Sequence, residues 1–369
     1  MTTSTNTMTP IKVKFAKGSA NDFYNTLRRR VTAHFEEKKI SRHGDYRMVV
    51  KTIFMLALYF TPFVASFFVT GGPWAYWALW LVMGLGLSGI GLSVMHDAGH
   101  GAYSSNATVN KILAYSLNVA GGGCAAFWNI QHNMLHHTYT NIHGLDEDIS
   151  RTKILRFSPH AEKKPMHSYQ HFYAWFLYGL MSISWITAKE FRQLGEFNER
   201  GLVKDKKAYN LLLAELILTK VGYYFYALVL PLMFAPVSTM VVLISFFSMH
   251  FVAGLTLSLI FQPAHVIPSS EYPLPDDHGT VENNWAVHQI TTTANFAGGS
   301  TYFSWFVGGL NHQIEHHLFP RICHIHYKDI SKIVKETAEE FNLPYHSQPT
   351  WFSAIYEHGK LLKTFAKMD

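Results

Sequence analysis

From Thr52 to Met95, and again from Val221 to Pro263, the chain contains no Asp, Glu, Lys or Arg. Each run exceeds 40 residues, whereas a helix needs only about 20 apolar residues to cross a bilayer. Each is therefore read as two crossing helices joined by a tight turn. Thr70-Gly71-Gly72-Pro73 and Ala235-Pro236-Val237-Ser238 supply the turns, because glycine and proline end helices. The expected crossings cover about 49–70, 73–95, 213–235 and 239–261. Lys and Arg concentrate in 1–51, 151–207 and 320–369. The positive-inside rule places those regions in the cytoplasm and the uncharged turns outside. The expected fold is thus an all-α integral membrane protein: four transmembrane helices carrying a cytoplasmic helical cap.

Three regions follow: a cytoplasmic N-terminal amphipathic segment at 1–48, a membrane domain at 49–325 and a C-terminal helical tail at 326–369. The first region lacks the apolar core of a signal peptide. It holds instead an amphipathic helix capped near Asn21, with Phe23, Leu27, Val31 and Phe35 on one face, read as an interfacial or packing helix. Cys124 and Cys323 are the only cysteines, too few for a disulfide framework or a thiolate metal site. The net charge of +6 suits anionic membrane headgroups or an acidic electron donor. No nucleic-acid module, phosphate loop or repeat is present.

The histidines sort onto one side of this arrangement. The second crossing ends at "HDAGH", with His96 and His100, and the fourth ends just before His265. "HNMLHH" supplies His132, His136 and His137, and "NHQIEHHLFP" supplies His312, His316 and His317. If the further apolar stretches 111–127, 172–188 and 296–310 are interfacial or re-entrant, nine histidines can meet at one cytoplasmic membrane boundary. On an α-helix His96 and His100 share a face, as do His132 and His136. Adjacent pairs such as His136–His137 and His316–His317 diverge by about 100° and straddle two ions more easily than they chelate one. The pattern fits a dinuclear centre; imidazole alone does not choose between iron, zinc, copper and nickel. A single catalytic zinc needs only three protein ligands, and "HExxH" is absent. His250, inside the fourth crossing, is a structural or substrate-tunnel residue that needs a partner. His143, His160, His167, His171, His288, His324 and His326 lack such spacing and are read as surface or supporting residues.

The boxes "HDAGH", "HNMLHH" and "QIEHH", in this order and with His265 after the fourth crossing, resemble those of the membrane fatty acid desaturases. The resemblance covers roughly residues 48–325. It implies a cytoplasmic diiron centre, dioxygen as oxidant and an acyl substrate linked to CoA, a carrier protein or a lipid. It also implies His96, His100, His132, His136, His137, His265, His316 and His317 as catalytic ligands. The third box starts with Gln313 where histidine is commoner, which is similar to the front-end subgroup. Those enzymes place a new double bond between an existing one and the carboxyl end. Gln313 or His312 is then the further ligand. The fused cytochrome b5 domain of many such enzymes, with its "HPGG" motif, has no counterpart here. A separate donor such as a ferredoxin or cytochrome b5 is expected, as in a bacterial-type, linoleoyl-CoA-desaturase-like protein of the inner membrane.

Breaking an unactivated methylene C–H lies beyond side-chain acid–base chemistry, so the cofactor carries it while the protein positions the chain. Carboxylates are expected to fix imidazole tautomers, with Asp97, Asp146, Asp148 and Glu315 as candidates. A membrane hydroxylase or ketolase is the nearest rival, since the same boxes support oxygen insertion. From another class, a zinc-binding membrane receptor or metal-handling protein would bind zinc and ignore dioxygen.

Overall fold

The computed structural model describes residues 13–16, 21–150 and 153–368. Among the described residues four helices are long and apolar enough to cross a membrane: Tyr46–Ser66, Gly72–Gly99, Lys206–Phe234 and Thr239–His265. The second is the most enclosed, with 67% of its apolar window buried against 28–39% for the other three. Small residues make that possible. A Cβ on Gly84 would stand 2.6 Å from the Met249 carbonyl oxygen, and one on Gly86 would stand 2.7 Å from the Leu58 carbonyl carbon. Two glycines on different faces thus let the first and fourth helices approach the second. Met55, Tyr59, Trp80, Met83, Met249 and Ala253 fill the space between them. Val49, Ile53, Leu218, Val221, Met240 and Ile244 point outward and are exposed. An apolar outer surface of this kind needs lipid around it.

The other apolar stretches break into shorter pieces. Residues 111–127 turn at Tyr115 and at Gly121–Cys124, and 296–310 contribute only the short helix Thr301–Phe306. His250 is buried and fully partnered: Tyr223 donates its hydroxyl to Nε2 at 2.7 Å, and Ser182 lies 3.1 Å from Nδ1.

The cap is built on the ends of these helices. Asn21–Lys38 buries Phe23, Leu27 and Val31 against Ile330, Val334 and Ala338 of the Tyr327–Glu340 helix, with Phe35 at the edge. It is therefore a packing helix. Arg30 fastens it to Thr337 and Glu340 at 3.0 and 2.6 Å. The Asn21 cap, residues 1–12 and residues 17–20 lie outside what is described. Two parallel pairings of two residues each tie distant segments together: Lys14–Phe15 with Thr280–Val281, and Asn295–Phe296 with Ser347–Gln348. The last helix, Trp351–Lys367, starts at a reciprocal Thr350–Ser353 cap and packs Leu361, Leu362 and Phe365 beside Val266. His358 donates through Nδ1 to the Val266 carbonyl at 2.7 Å and accepts from Tyr178 at 2.6 Å. The residue after His265 is thereby held from the far end of the chain.

Candidate metal centre

Two of the histidine clusters sit on irregular helix. The second long helix passes through a π-helical turn at Ile90–Met95 immediately before His96. The second box lies in and just after a π-helical segment, Asn129–His136. A π-helix closes i→i+5 bonds, and such turns concentrate at functional sites. The consequence is specific: His132 Nε2 meets His137 Nε2 at 3.2 Å and His96 Nε2 at 3.1 Å. His132 and His136 do share a face, their rings stacked with centroids 5.3 Å apart and grouped with Asp148, as the α-helical spacing leads one to expect. His136 also turns toward His265 and His317, at ring-centroid distances of 4.8 and 4.9 Å.

The buried rings fall into adjoining groups. His96, His100, His132 and His316 converge in one, and His136, His265 and His317 in another. His137 joins His316 and His317 between them. Nitrogens about 2.1 Å from one ion stand roughly 3.0–3.4 Å apart, the spacing of the His96–His132 and His132–His137 pairs.

The hydrogen bonds around the rings are directional. His317 Nδ1 faces the Gln289 amide oxygen at 2.8 Å, and His265 Nδ1 faces the Thr292 carbonyl at 3.3 Å. His136 Nδ1 lies 3.1 and 3.2 Å from the two Asp146 oxygens. These partners only accept, so the proton sits on Nδ1 and the Nε2 lone pair points inward. His316 Nδ1 is likewise engaged outward, by the Tyr327 hydroxyl at 3.2 Å. Nε2 of His100, His265, His316 and His317 is buried with no hydrogen-bond partner. Four orphaned lone pairs aimed at shared points would be costly in an apolar core and fit cations. Burial and mutual repulsion hold His100, His132, His137, His316 and His317 well below the ordinary imidazole pKa, so they are neutral imidazoles. Burial also disfavours charge on His136, but Asp146 and Asp148 outweigh it and raise its pKa to about 9.

The carboxylates divide. Asp146 and Asp148 reach His136, the latter at 3.4 Å. Asp97 and Glu315 do not hydrogen-bond a ring of either group, and the expectation that they fix ligand tautomers is corrected. Asp97 Oδ2 takes the His324 backbone N–H at 3.1 Å and Nδ1 at 2.8 Å. His324 in turn meets Lys51 at 2.6 Å, so this chain joins the first and second long helices to the turn after the third box. Glu315 accepts from Asn295 at 2.8 Å and Tyr345 at 2.9 Å, locking the third box to the second strand pair. Burial raises its pKa to about 7. His312 lies 3.8 Å from Glu315 and joins none of the histidine groups, whereas the Gln313 amide faces His265. His167, His288, His324 and His326 are buried, so of the two readings given for them the surface one does not apply.

Gln289, Thr292, Tyr327 and Asn141 were not legible as site residues. Asn141 adopts φ 59° and spans from the second box to the fourth helix, donating to the carbonyls of His265 and Glu271 at 2.9 and 3.1 Å. An Asn two residues beyond a helix end, before "IHGLDED", is the faint signal it left.

The arrangement is that of a buried, histidine-rich metal centre under an apolar helix bundle. The family model for fatty acid desaturases matches residues 71–349. The chain is 34% identical to the sn-1 linoleoyl-lipid 6-desaturase of Synechocystis sp., over 98% of this chain and 99% of that protein. It is equally identical to the sn-1 linoleoyl-lipid 6-desaturase of Arthrospira platensis, over 97% and 95% of the two chains. With the acyl-lipid (8-3)-desaturase of Physcomitrium patens it shares 34% identity, over 95% of this chain and 73% of that one. With four membrane-length helices, the converging histidine boxes and these relatives agreeing along nearly its whole length, the chain belongs to the fatty acid desaturase family.

Proposed function

We propose that this desaturase is of the front-end type, inserting a double bond between an existing one and the carboxyl end of a linoleoyl-type chain. What supports this is Gln313 at the head of the third box, facing His265, together with relatives named as linoleoyl-lipid 6-desaturases. His96, His100, His132 and His316 would hold one iron, and His136, His265 and His317, with Gln313, the other; His137 stands between them. Bound there, the iron pair would supply the dioxygen chemistry that removes two hydrogens from adjacent methylenes. Dioxygen, two electrons and two protons are consumed, and two waters leave with the alkene. The chain's own residues keep His100, His132, His137, His316 and His317 neutral, orient His317, His265 and His136 through Gln289, Thr292 and Asp146, and bury the rings. Electrons come from a separate donor, a ferredoxin or cytochrome b5. The boxes, both termini and the donor share the cytoplasmic face of a bacterial inner membrane. The three regions 1–48, 49–325 and 326–369 stay as the functional division.

Expression in a host fed linoleate tests the reading by gas chromatography–mass spectrometry of total fatty acids. A new double bond on the carboxyl side is expected. A hydroxylated product would sink desaturation in favour of oxygen insertion; a new bond on the methyl side would refute the front-end assignment.

Asp146 deserves its own variant, because its contact to a ligand ring is direct. Asp146→Asn keeps the shape and removes the charge that stabilises His136, so iron affinity is expected to fall about 10- to 100-fold. Iron retained against increasing chelator reads this directly. Retention equal to wild type would show that the carboxylate does not support the ligand.

A further inference from the structure

A cavity of about 800 Å³ opens beside the metal centre and is bounded at its inner end by His100 and His137. That size suits a small-molecule or lipid-headgroup site better than the flat contact a protein partner makes. Its inner wall is Ala98, Gly99, Ala125, Ala126 and Trp128, and its polar lining includes Asn110 and Asn133. Gly99 is required there: a Cβ would come within 2.3 Å of the Trp128 ring. The rim carries three cations, Arg42, Lys111 and Arg321, and among the described residues no Asp or Glu lines the cavity. All three are exposed, and none belongs to an ion pair among the described residues.

Position matters as much as charge. Arg42 precedes the first long helix, which begins at Tyr46, while Ala98–Gly101 closes the second. The mouth therefore stands where two membrane-length helices end, at the depth of lipid headgroups. Three unpaired cations at that depth, with no carboxylate to neutralise them, call for an anion.

We propose that Arg42, Lys111 and Arg321 hold a phosphate-bearing headgroup of the acyl donor, so that the carboxyl end of the chain stays at the mouth and the methylenes that follow it run inward past His100 and His137. This deepens the front-end reading and rests on it. A double bond placed by counting from the carboxyl end needs the headgroup anchored a short run of methylenes from the metals, and one cavity joins the two. A neutral sugar headgroup would leave the three cations unanswered. Phosphoglycerolipids and CoA thioesters share the phosphate chemistry.

The test uses the purified, iron-loaded full chain in neutral detergent micelles. Binding of a fluorescent linoleoyl phosphatidylglycerol is competed with unlabelled linoleoyl phosphatidylglycerol, linoleoyl-CoA and monogalactosyl linoleoyl glycerol, for wild type and for R42Q/K111Q/R321Q. The two phosphate-bearing donors are expected to bind at least tenfold more tightly than the galactolipid. In the triple variant that preference is lost, a fall of about tenfold or more, as expected for three exposed charge contacts, with iron content and galactolipid binding unchanged. Which phosphate donor competes better separates the lipid from the CoA source. Equal binding of all three donors, or a triple variant that keeps the preference, overturns the proposal. So does a variant whose only change is a raised KM for the electron-donor protein, which would assign the rim to donor docking. Selective binding of the phosphate-bearing donors with the new double bond formed on the methyl side would instead count against the front-end reading and leave the headgroup site standing.

Discussion

His316→Ala is expected to lose its iron and to reduce desaturated product by about a thousandfold or more. No other side chain in the centre has a stronger geometric case. His316 belongs both to the group with His96, His100 and His132 and to the group with His137 and His317. Its ring centroid lies 4.5 Å from those of both His96 and His137. Removing it leaves the His96–His100–His132 position incomplete, takes away the ring that meets His137 and His317 between the two positions, and deprives the Tyr327 hydroxyl of the ring it orients. His312→Ala is the matched control, since His312 is equally buried yet joins neither group. It is expected to keep its iron and most of its product. Iron per chain by plasma mass spectrometry and product by gas chromatography read the two variants together. If His316→Ala retains full iron, or His312→Ala alone loses it, the ligand assignment fails.

The membrane body was legible because lipid makes charge expensive, and two long gaps in Asp, Glu, Lys and Arg mark four helices without any knowledge of packing. The histidine clusters were legible because few folds need so many imidazoles at one boundary. Their pairing was legible only in part: His96 and His100 share a group as spaced, but the contact of His132 with His137 was not foreseeable. Spacing arguments assume 3.6 residues per turn, and the π-helical segment at Asn129–His136 changes that period where the second box lies. His132 consequently faces His137 at 3.2 Å, an i,i+5 partner that α-helical reasoning puts elsewhere. The supporting shell was illegible for a different reason. Gln289 and Tyr327 come from segments with no box, and meet His317 and His316 only through tertiary packing. Asp97 and Glu315 sit inside boxes and look like tutors of the neighbouring rings. Their side chains point away instead, to His324 and to Asn295 and Tyr345. Sequence adjacency on a helix end carries no information about direction, and that decided both cases.

The largest stability effect away from the metals is expected for Lys220→Met. Lys220 is a buried lysine on the third long helix, and its ammonium donates to the Gly122 carbonyl at 2.6 Å and the Trp185 carbonyl at 2.8 Å. It also pairs with Glu190, itself buried, whose other oxygen accepts the Cys124 N–H at 2.7 Å. One ion pair thus clamps the glycine-rich turn before the second box to two helices. Burial holds the Glu190 carboxyl above its ordinary pKa even with Lys220 beside it. Methionine fills much of the lysine volume but strands that carboxylate and two carbonyls, so breaking the pair costs about 3–5 kcal/mol. Removing both charges should cost less, because Lys220→Met with Glu190→Gln leaves no buried ion, and an amide still accepts from Cys124. Unfolding midpoints in detergent should therefore rank wild type above the double variant and the double above Lys220→Met. Iron per folded chain should match wild type in both, since neither side chain is hydrogen-bonded to a histidine of the centre. A single variant as stable as wild type, or a double less stable than the single, would show that the pair does not carry this part of the fold.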